Sequence, residues 1–244
     1  LNIMEKNKIK KITILGASSD IGIYVTQKFL SMGFKVNAHY NNQNKYLKDL
    51  YKENSNNLKL FKFNLKNIKL WEEYVKKSKF LKDTDALISF TGFIKANNFE
   101  NFNVKDSYDH LNINYFSSII LTKHVLKHMK KNKFGRILYS SSIGTKFGGG
   151  EKSFNYSLSK FCNEFFPNRL RNLANLNILT NTLQIGVTNT KIHSKLPEKN
   201  LKKRVSLIPI KRMANINEVG NIVVNFILKN KLISSQVINI SGGE

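Results

Sequence analysis

Seven short runs rich in Ile, Val, Leu and Phe recur along the chain: Ile12 to Leu15, Phe34 to Tyr40, Leu58 to Phe63, Ala86 to Phe90, Arg136 to Ser140, Ile178 to Leu183 and Val237 to Ile240. Runs this short and this apolar predict strands buried on both faces. Between them lie longer stretches with helical spacing, such as Ile23, Phe29 and Leu30, or Ile120, Leu121, Val125, Leu126 and Met129, which predict helices with one apolar face. Strand and helix thus alternate, the pattern of right-handed βαβ units building a doubly wound parallel sheet with helices on both faces. Ligands of such α/β folds bind at the carboxyl ends of the strands, so chemistry is sought there. The segment from Thr188 to Arg212 breaks the rhythm, exceeding the roughly 2 to 6 residues usual for an αβ loop, and carries Lys191, His193, Lys195, Pro197 and Pro209. It is expected to form a lid over the substrate (residues 188–212).

The chain has 244 residues, 41% of them hydrophobic, enough for one large core, and no repeat or linker divides it, so residues 1–244 are read as a single domain. Forty Lys and Arg against 16 Asp and Glu give a formal charge of +24. That balance draws a protein to anions. The lysines are nevertheless spread rather than gathered into a block, and no nucleic-acid-binding signature accompanies them, so neither nucleic acid nor membrane is an expected partner. Cys162 is the only cysteine, which rules out an internal disulfide or a Cys-based zinc cluster and fits a reducing compartment. With no signal-like N-terminus and no run of about 18 apolar residues, the expectation is a soluble, cytoplasmic protein without a metal.

After the first strand comes Leu15-Gly16-Ala17-Ser18-Ser19-Asp20-Ile21-Gly22, opening a helix that runs towards Leu30. Glycine permits a tight turn and close backbone approach, while the free N–H groups and positive helix end attract a pyrophosphate. An acid about 20 residues further on would bind the ribose hydroxyls of NAD and repel the extra phosphate of NADP. Here the second strand ends Asn37-Ala38-His39-Tyr40-Asn41-Asn42 with no acid, which leaves room for a phosphate held by Asn41, Asn42, His39 or Lys45 and favours NADP over NAD.

Tyr156-Ser157-Leu158-Ser159-Lys160 lies in a predicted helix downstream of Ser140-Ser141-Ser142. Four residues apart, Tyr156 and Lys160 share a helix face, so the ammonium is expected to stabilise a phenolate and lower a pKa of about 10. A serine hydroxyl beside them suits stabilisation of the charge that develops on a carbonyl oxygen as hydride arrives at carbon. Together the groups fit carbonyl reduction.

With these motifs the chain resembles the short-chain dehydrogenase/reductase family over nearly its whole length, in the compact Rossmann-type form. The resemblance implies an NAD(P)-dependent enzyme in which a Ser, Tyr, Lys and Asn tetrad acts. Tyr156 and Lys160 match its Tyr-x-x-x-Lys, and the lysine also binds the nicotinamide ribose. The serine is Ser142 counted from Gly135-Arg136-Ile137, or Ser141 counted back from Gly144. The Asn, holding a water in a proton relay, falls on Asn114, with Asn112 as the fallback. The resemblance also places the cofactor along Gly16, Ser18, Ser19, Asp20, Ile21 and Gly22, beside Tyr40 and Asn41. Further cofactor positions are Asn64 and Leu65, Thr91 and Gly92, and Gly186, Val187, Thr188 and Thr190 of Ile185-Gly186-Val187-Thr188-Asn189-Thr190. Leu15, Asn64, Ser89-Phe90-Thr91-Gly92 and Ile185 depart from the family pattern in loops that set cofactor geometry, and none removes a catalytic group.

Within the family the general likeness is to 3-oxoacyl-[acyl-carrier-protein] reductases, which implies an acyl-thioester ketone and basic docking residues near the ends of two long helices. Lys133 stands at the first such place and Asn177 at the second. A sugar-like or other small polar ketone, met by Lys191 and His193, is the alternative, and a cofactor-binding homologue without turnover is another. The resemblance further implies a homotetramer or homodimer packed through long helices at residues 112–130 and 153–176, with Phe161, Phe165 and Phe166 in that interface or in the core.

Overall fold

All seven apolar runs become strands of one parallel sheet ordered β3-β2-β1-β4-β5-β6-β7. The computed structural model describes residues 8–42, 44–191 and 198–244, the side chains of 198 and 199 excepted. The strands are β1 (Lys11–Leu15), β2 (Lys35–Tyr40), β3 (Leu58–Lys62), β4 (Ala86–Ser89), β5 (Gly135–Ser142), β6 (Ile178–Ile185) and β7 (Val237–Ile240). Strand β5 outruns its apolar stretch because Ser140, Ser141 and Ser142 continue the ladder with Leu183, Gln184 and Ile185. All three serines are thereby delivered to the carboxyl edge of the sheet.

The longer helices are α1 (Asp20–Ser31), α2 (Lys45–Glu53), α3 (Ile68–Lys77), α4 (Val104–Leu111), α5 (Ser117–Asn132), α6 (Phe154–Phe161), α7 (Glu198–Ser206) and α8 (Ile216–Lys229). Period-two alternation along the strands divides the core. Ile12, Ile14, Ala86, Ile88 and Leu138 face Val25 and Phe29 of α1 and Val223 and Ile227 of α8. Leu87, Ile137 and Tyr139 face Trp71 of α3 and Leu121, Val125 and Met129 of α5. Trp71 is fully buried and donates its indole N–H to the Ser117 carbonyl at 3.0 Å. Burying a side chain that large stabilises by about 2–3 kcal/mol or more from area alone.

Helices α4 and α5 run on from one another through a π-helical turn, Asn112–Phe116. Such turns recur at functional sites because the extra residue re-aims a side chain. The long helix implied for 153–176 is instead broken. Proline has no N–H to give and crowds the carbonyl four residues back, so Pro167 ends helicity ahead of itself, and Phe165 and Pro167 are extended (ψ 122° and 144°). Only α6 and short turns at Cys162–Glu164, Asn168–Arg171 and Asn172–Leu176 remain. Phe161 and Phe165 project to solvent, whereas Phe166 is buried. Among the described residues no helix is long and apolar enough to cross a membrane. Of the segment 188–212, His193, Lys195 and Pro197 lie outside the described residues, and the rest includes α7.

Strand order reverses at β1, which pairs with β2 on one side and β4 on the other. The crevice outside the carboxyl ends of β1 and β4 is therefore where a doubly wound sheet accepts its ligand.

Candidate active site

The turn after β1 is built around one steric fact. Gly16 has φ +71°, and a Cβ placed there would stand 2.9 Å from the carbonyl carbon and oxygen of Phe90, at the end of β4. Only glycine lets the two strand ends approach so closely. Ser19 caps α1, its Oγ donating to the Gly16 carbonyl at 2.8 Å and accepting the Gly22 amide at 3.1 Å. Gly22 and Ile23 thus have their amides engaged on Ser19, and those of Asp20 and Ile21 stand at the positive end of the helix without intrahelical acceptors. This is an anion cradle that a pyrophosphate fits. The Asp20 carboxylate is turned aside, accepting the Lys191 amide at 2.8 Å with the Lys191 ammonium at 3.6 Å. That pairing mutes its repulsion of a phosphate. Ser18 gives its carbonyl to Asn44 at 3.1 Å, fixing the other side of the turn.

At the end of β2, Tyr40 is half-buried and Asn41 and Asn42 are exposed beside exposed Lys45. His39 does not join them. It is buried, with its Nδ1 accepting the Gly16 amide at 3.2 Å and its Nε2 3.0 Å from the Phe63 carbonyl. Burial holds its pKa down to about 4, so the ring is neutral and ties β2 to the glycine turn and to the end of β3. The expectation that His39 helps hold a phosphate is corrected accordingly. Asn64 is exposed and accepts the Lys66 amide at 3.1 Å, while Leu65 is core. Beyond β6, Gly186 passes against Ser241, where a Cβ would come within 2.5 Å of the Ser241 Cα. Val187 and Thr188 are buried there, Thr188 bridges to Ala214, and the Thr190 hydroxyl donates to the Thr188 carbonyl at 3.3 Å.

Opposite the glycine turn, α6 lays Tyr156 and Lys160 against the end of β5. Burial raises the pKa of the Tyr156 phenol above the ordinary value, against the opposing pull of the nearby Ser142 side chain. Ser142 Oγ also accepts the Gly144 amide at 3.2 Å. Ser141 turns the other way, donating to Glu164 at 2.5 Å. Of the two serines left open by the sequence, Ser141 is spent on Glu164 and the Lys160 carbonyl, and Ser142 is the one whose side chain bears on the phenol. Lys160 is buried and points its ammonium at the Thr91 carbonyl (2.7 Å), the Ser140 carbonyl (3.0 Å) and Ser140 Oγ (3.1 Å). Burial lowers its pKa to about 7. Its Nζ stands 6.0 Å from the centre of the Tyr156 ring. The lowering of the phenol expected from Lys160 is not seen, because desolvation dominates and pushes it up.

Asn114, fully buried on the π-helical turn, donates to the Phe93 carbonyl (3.0 Å) and to Ser159 Oγ (2.9 Å) and accepts the Phe93 amide (2.7 Å). It pins the Thr91-Gly92-Phe93 loop to α6, and its own carbonyl accepts the Asn163 amide group at 2.8 Å. Asn112 instead donates to the Lys66 carbonyl at 3.1 Å on the surface. Residues 89–93 are thereby gripped from both sides, by Lys160 and by Asn114. Lys133 and Asn177 are both left-handed residues (φ 48° and 55°) capping the helical segments ahead of β5 and β6. The Asn177 side-chain oxygen accepts Arg136 Nη1 at 3.1 Å.

Sequence reasoning did not find Glu164, Thr145, Gln184 or Asn163, which hold this corner together. For Glu164 a signal exists, since it is the only acid between Glu151 and Glu198.

A fold of this topology, with a glycine turn facing a Tyr-Lys pair and a serine across the switch point, is that of an oxidoreductase class. The sequence profile of the short chain dehydrogenase family matches residues 10–201, and the chain belongs to that family. It is 32% identical over 203 residues to the 3-oxoacyl-[acyl-carrier-protein] reductase FabG of Buchnera aphidicola subsp. Baizongia pistaciae, covering 82% of this chain and 80% of that one. Among solved structures, a short-chain dehydrogenase/reductase from Serratia marcescens superposes with a TM-score of 0.85 at 18% identity, covering 96% of this chain and 97% of the other. ElxO with NADP bound superposes with a TM-score of 0.81 at 21% identity, covering 96% and 98%.

Proposed function

We propose that this oxidoreductase reduces a ketone to a secondary alcohol with NADPH, its substrate being a 3-oxoacyl thioester of an acyl carrier protein. The observation that carries the reading is the convergence of Ser142 at the end of β5 with Tyr156 and buried Lys160 on α6, at the carboxyl edge of the sheet and across the switch point from the glycine turn. A bound nicotinamide supplies the hydride.

The residues present fit that cofactor. The Gly16 cradle and the amides of Asp20 and Ile21 would hold the pyrophosphate, with Ser18, Ser19 and Gly22 shaping the turn. Tyr40, Asn41 and exposed Lys45 would border the adenosine ribose, where the absence of an acid favours NADP. Thr91, Gly92, Gly186, Val187, Thr188 and Thr190 would flank the nicotinamide end, and Asn64 and Leu65 the adenine.

A phenol held above its ordinary pKa is neutral at working pH, which suits it to donate a proton to the carbonyl oxygen. Ser142 polarises that oxygen and stabilises the charge arriving on it. As the O–H bond of Tyr156 breaks, the new alcohol O–H forms and a phenolate remains, which the Lys160 ammonium stabilises until solvent returns the proton. Asn114 keeps the loop and helix that carry these groups in register. Exposed Phe161 and Phe165 suit packing against a second copy of the chain in a homodimer or homotetramer. A carrier-protein substrate also matches the basic surface, on which Lys133 is exposed, and a cytoplasmic setting.

Replacing Tyr156 with Phe tests the assignment. Removing a general acid costs about 10²- to 10⁴-fold in rate. NADPH oxidation with acetoacetyl thioesters should fall by about 10³-fold while NADPH binding, read by nucleotide fluorescence, is retained. Full turnover by Tyr156→Phe would sink the proposal.

A further inference from the structure

Glu164 stands four residues beyond Lys160, in the 3₁₀ turn that follows α6. Its Oε1 accepts three donors from three different segments: the Ser141 hydroxyl of β5 at 2.5 Å, the Thr145 hydroxyl of the next turn at 2.7 Å, and Nε2 of Gln184 on β6 at 3.1 Å. Hydroxyl bonds to a carboxylate this short are charge-assisted and roughly twice as strong as neutral ones. The orientation of Gln184 is fixed in turn, because its Oε1 accepts from Asn239 at 3.3 Å and its Nε2 reaches Thr145 Oγ1 at 2.8 Å.

The two hydroxyls that meet on Glu164 bracket Ser142. Ser141 precedes it, and Thr145 lies three residues after it, with its Oγ1 2.8 Å from the Ser142 carbonyl. The Thr145 hydroxyl thus sits between the Ser142 carbonyl and the carboxylate and couples the serine turn to Glu164. Ser141 Oγ is also 3.2 Å from the Lys160 carbonyl, which ties the same point to the helix bearing Tyr156 and Lys160. A simple staple between β5 and β6 is not what the sheet lacks, since those strands already pair continuously from Gly135 with Ile178 to Ser142 with Ile185. The turn beyond Ser142 has no such ladder, and Glu164 reaches it from the end of α6.

We propose that Glu164 is a positioning residue for Ser142: by bridging the Ser141 and Thr145 hydroxyls, its carboxylate fixes the turn 141–145 against α6 and so keeps Ser142 Oγ aimed to the Tyr156 side. This rests on the function proposed above, in which Ser142 polarises the substrate oxygen. Displacing an aligned group by about 1 Å costs on the order of 10²-fold in rate.

Steady-state ketone reduction, NADPH titration and thermal unfolding of Glu164→Ala, Glu164→Gln, Thr145→Val and the Glu164→Ala/Thr145→Val pair test it together. Glu164→Ala should lower kcat by about 10- to 100-fold, with KM and NADPH affinity within about threefold. Glu164→Gln keeps an oxygen that can accept both hydroxyls and should restore most of the rate. The double variant should be no more than about twofold slower than Glu164→Ala, because both changes break one contact. A kcat for Glu164→Ala within about twofold of the parent, or one that recovers fully once the assay is run well below its lowered Tm, overturns the proposal. If the parent protein reduces no ketone, it is the functional reading that fails. Amide exchange at Ile143 and Gly144 then decides the rest: faster exchange in Glu164→Ala upholds the clamp, and unchanged exchange removes it.

Discussion

The two sides of the crevice hold their geometry by opposite means. At the turn between β1 and α1 the shape is set by what cannot fit: Gly16 has φ +71°, and the backbone of Phe90 fills the space a Cβ would need. Its working groups are backbone amides, which carry no proton equilibrium. At the corner of β5 and α6 the shape is set by what must be paired. Lys160 and Asn114 are polar groups withdrawn from water, each held by hydrogen bonds from another segment, with half-buried Ser142 and Tyr156 beside them. An unpaired polar group buried there costs about 1–3 kcal/mol, so the network holds itself in place. One side resists any added atom, and the other resists any lost proton or partner.

The sharpest way to break the second side is to remove one hydroxyl of two neighbours. Ser142→Ala deletes the hydroxyl proposed to polarise the substrate oxygen, and loss of such a group costs on the order of 10²- to 10³-fold in kcat. Ser141→Ala leaves that hydroxyl in place and removes only one strut of the turn, so its loss should be at least about tenfold smaller. Measuring both with the same ketone and NADPH checks the assignment. Equal losses, or a larger loss for Ser141→Ala, would return the role to Ser141.

Breaking the first side takes one added methyl group. Gly16→Ala must push the turn off Phe90, and the left-handed backbone adds about 1–2 kcal/mol of strain. NADPH affinity should drop by roughly 10- to 100-fold as the amides move off the pyrophosphate, while kcat at saturating cofactor changes by less than about threefold. Isothermal titration separates the two effects. A loss confined to kcat would mean that the turn serves the chemistry rather than the cofactor.

How far the sequence reveals each side follows the same division. The glycine turn announces itself because its constraint is local, with Gly16, Ser19 and Gly22 lying within seven residues. The seven strands are legible for a similar reason, since burial on both faces leaves an apolar run whatever the neighbours are. Tyr156 and Lys160 are legible as a pair one helical turn apart. The rest of the corner is assembled from distant segments. Glu164 meets Gln184 and Thr145 across the sheet edge, and Asn114 meets Phe93 and Ser159, distances in sequence that no local pattern encodes. His39 shows the hazard: its place after β2 suggests a phosphate ligand, yet its neighbour across the crevice, Gly16, claims the ring. Pro167 is plain in the sequence, but the long helix implied by the family resemblance gives it no weight.

The smallest expected effect is also the one that separates the two sides most cleanly. Burial lowers the Lys160 pKa to about 7, below its unfolded value, so within the fold the amine loses its proton as pH rises through neutrality. The sign for stability follows: charging the buried amine opposes folding, so the penalty is fully present below about pH 7 and fades as pH rises towards the unfolded pKa near 10.4. Activity runs the other way. Only the ammonium can stabilise the phenolate left on Tyr156, so kcat for ketone reduction should fall between pH 6 and 8, by at most about tenfold for a group titrating near 7. NADPH binding by the glycine turn should stay level as Lys160 titrates, because the amides of Asp20 and Ile21 do not titrate and the carboxylate of Asp20 is already paired. Stopped-flow single turnovers across that range, with cofactor affinity measured at each pH, check both halves. A flat kcat profile would show that Lys160 keeps its charge or that its charge does not matter, and the pairing at this corner would then be structural alone.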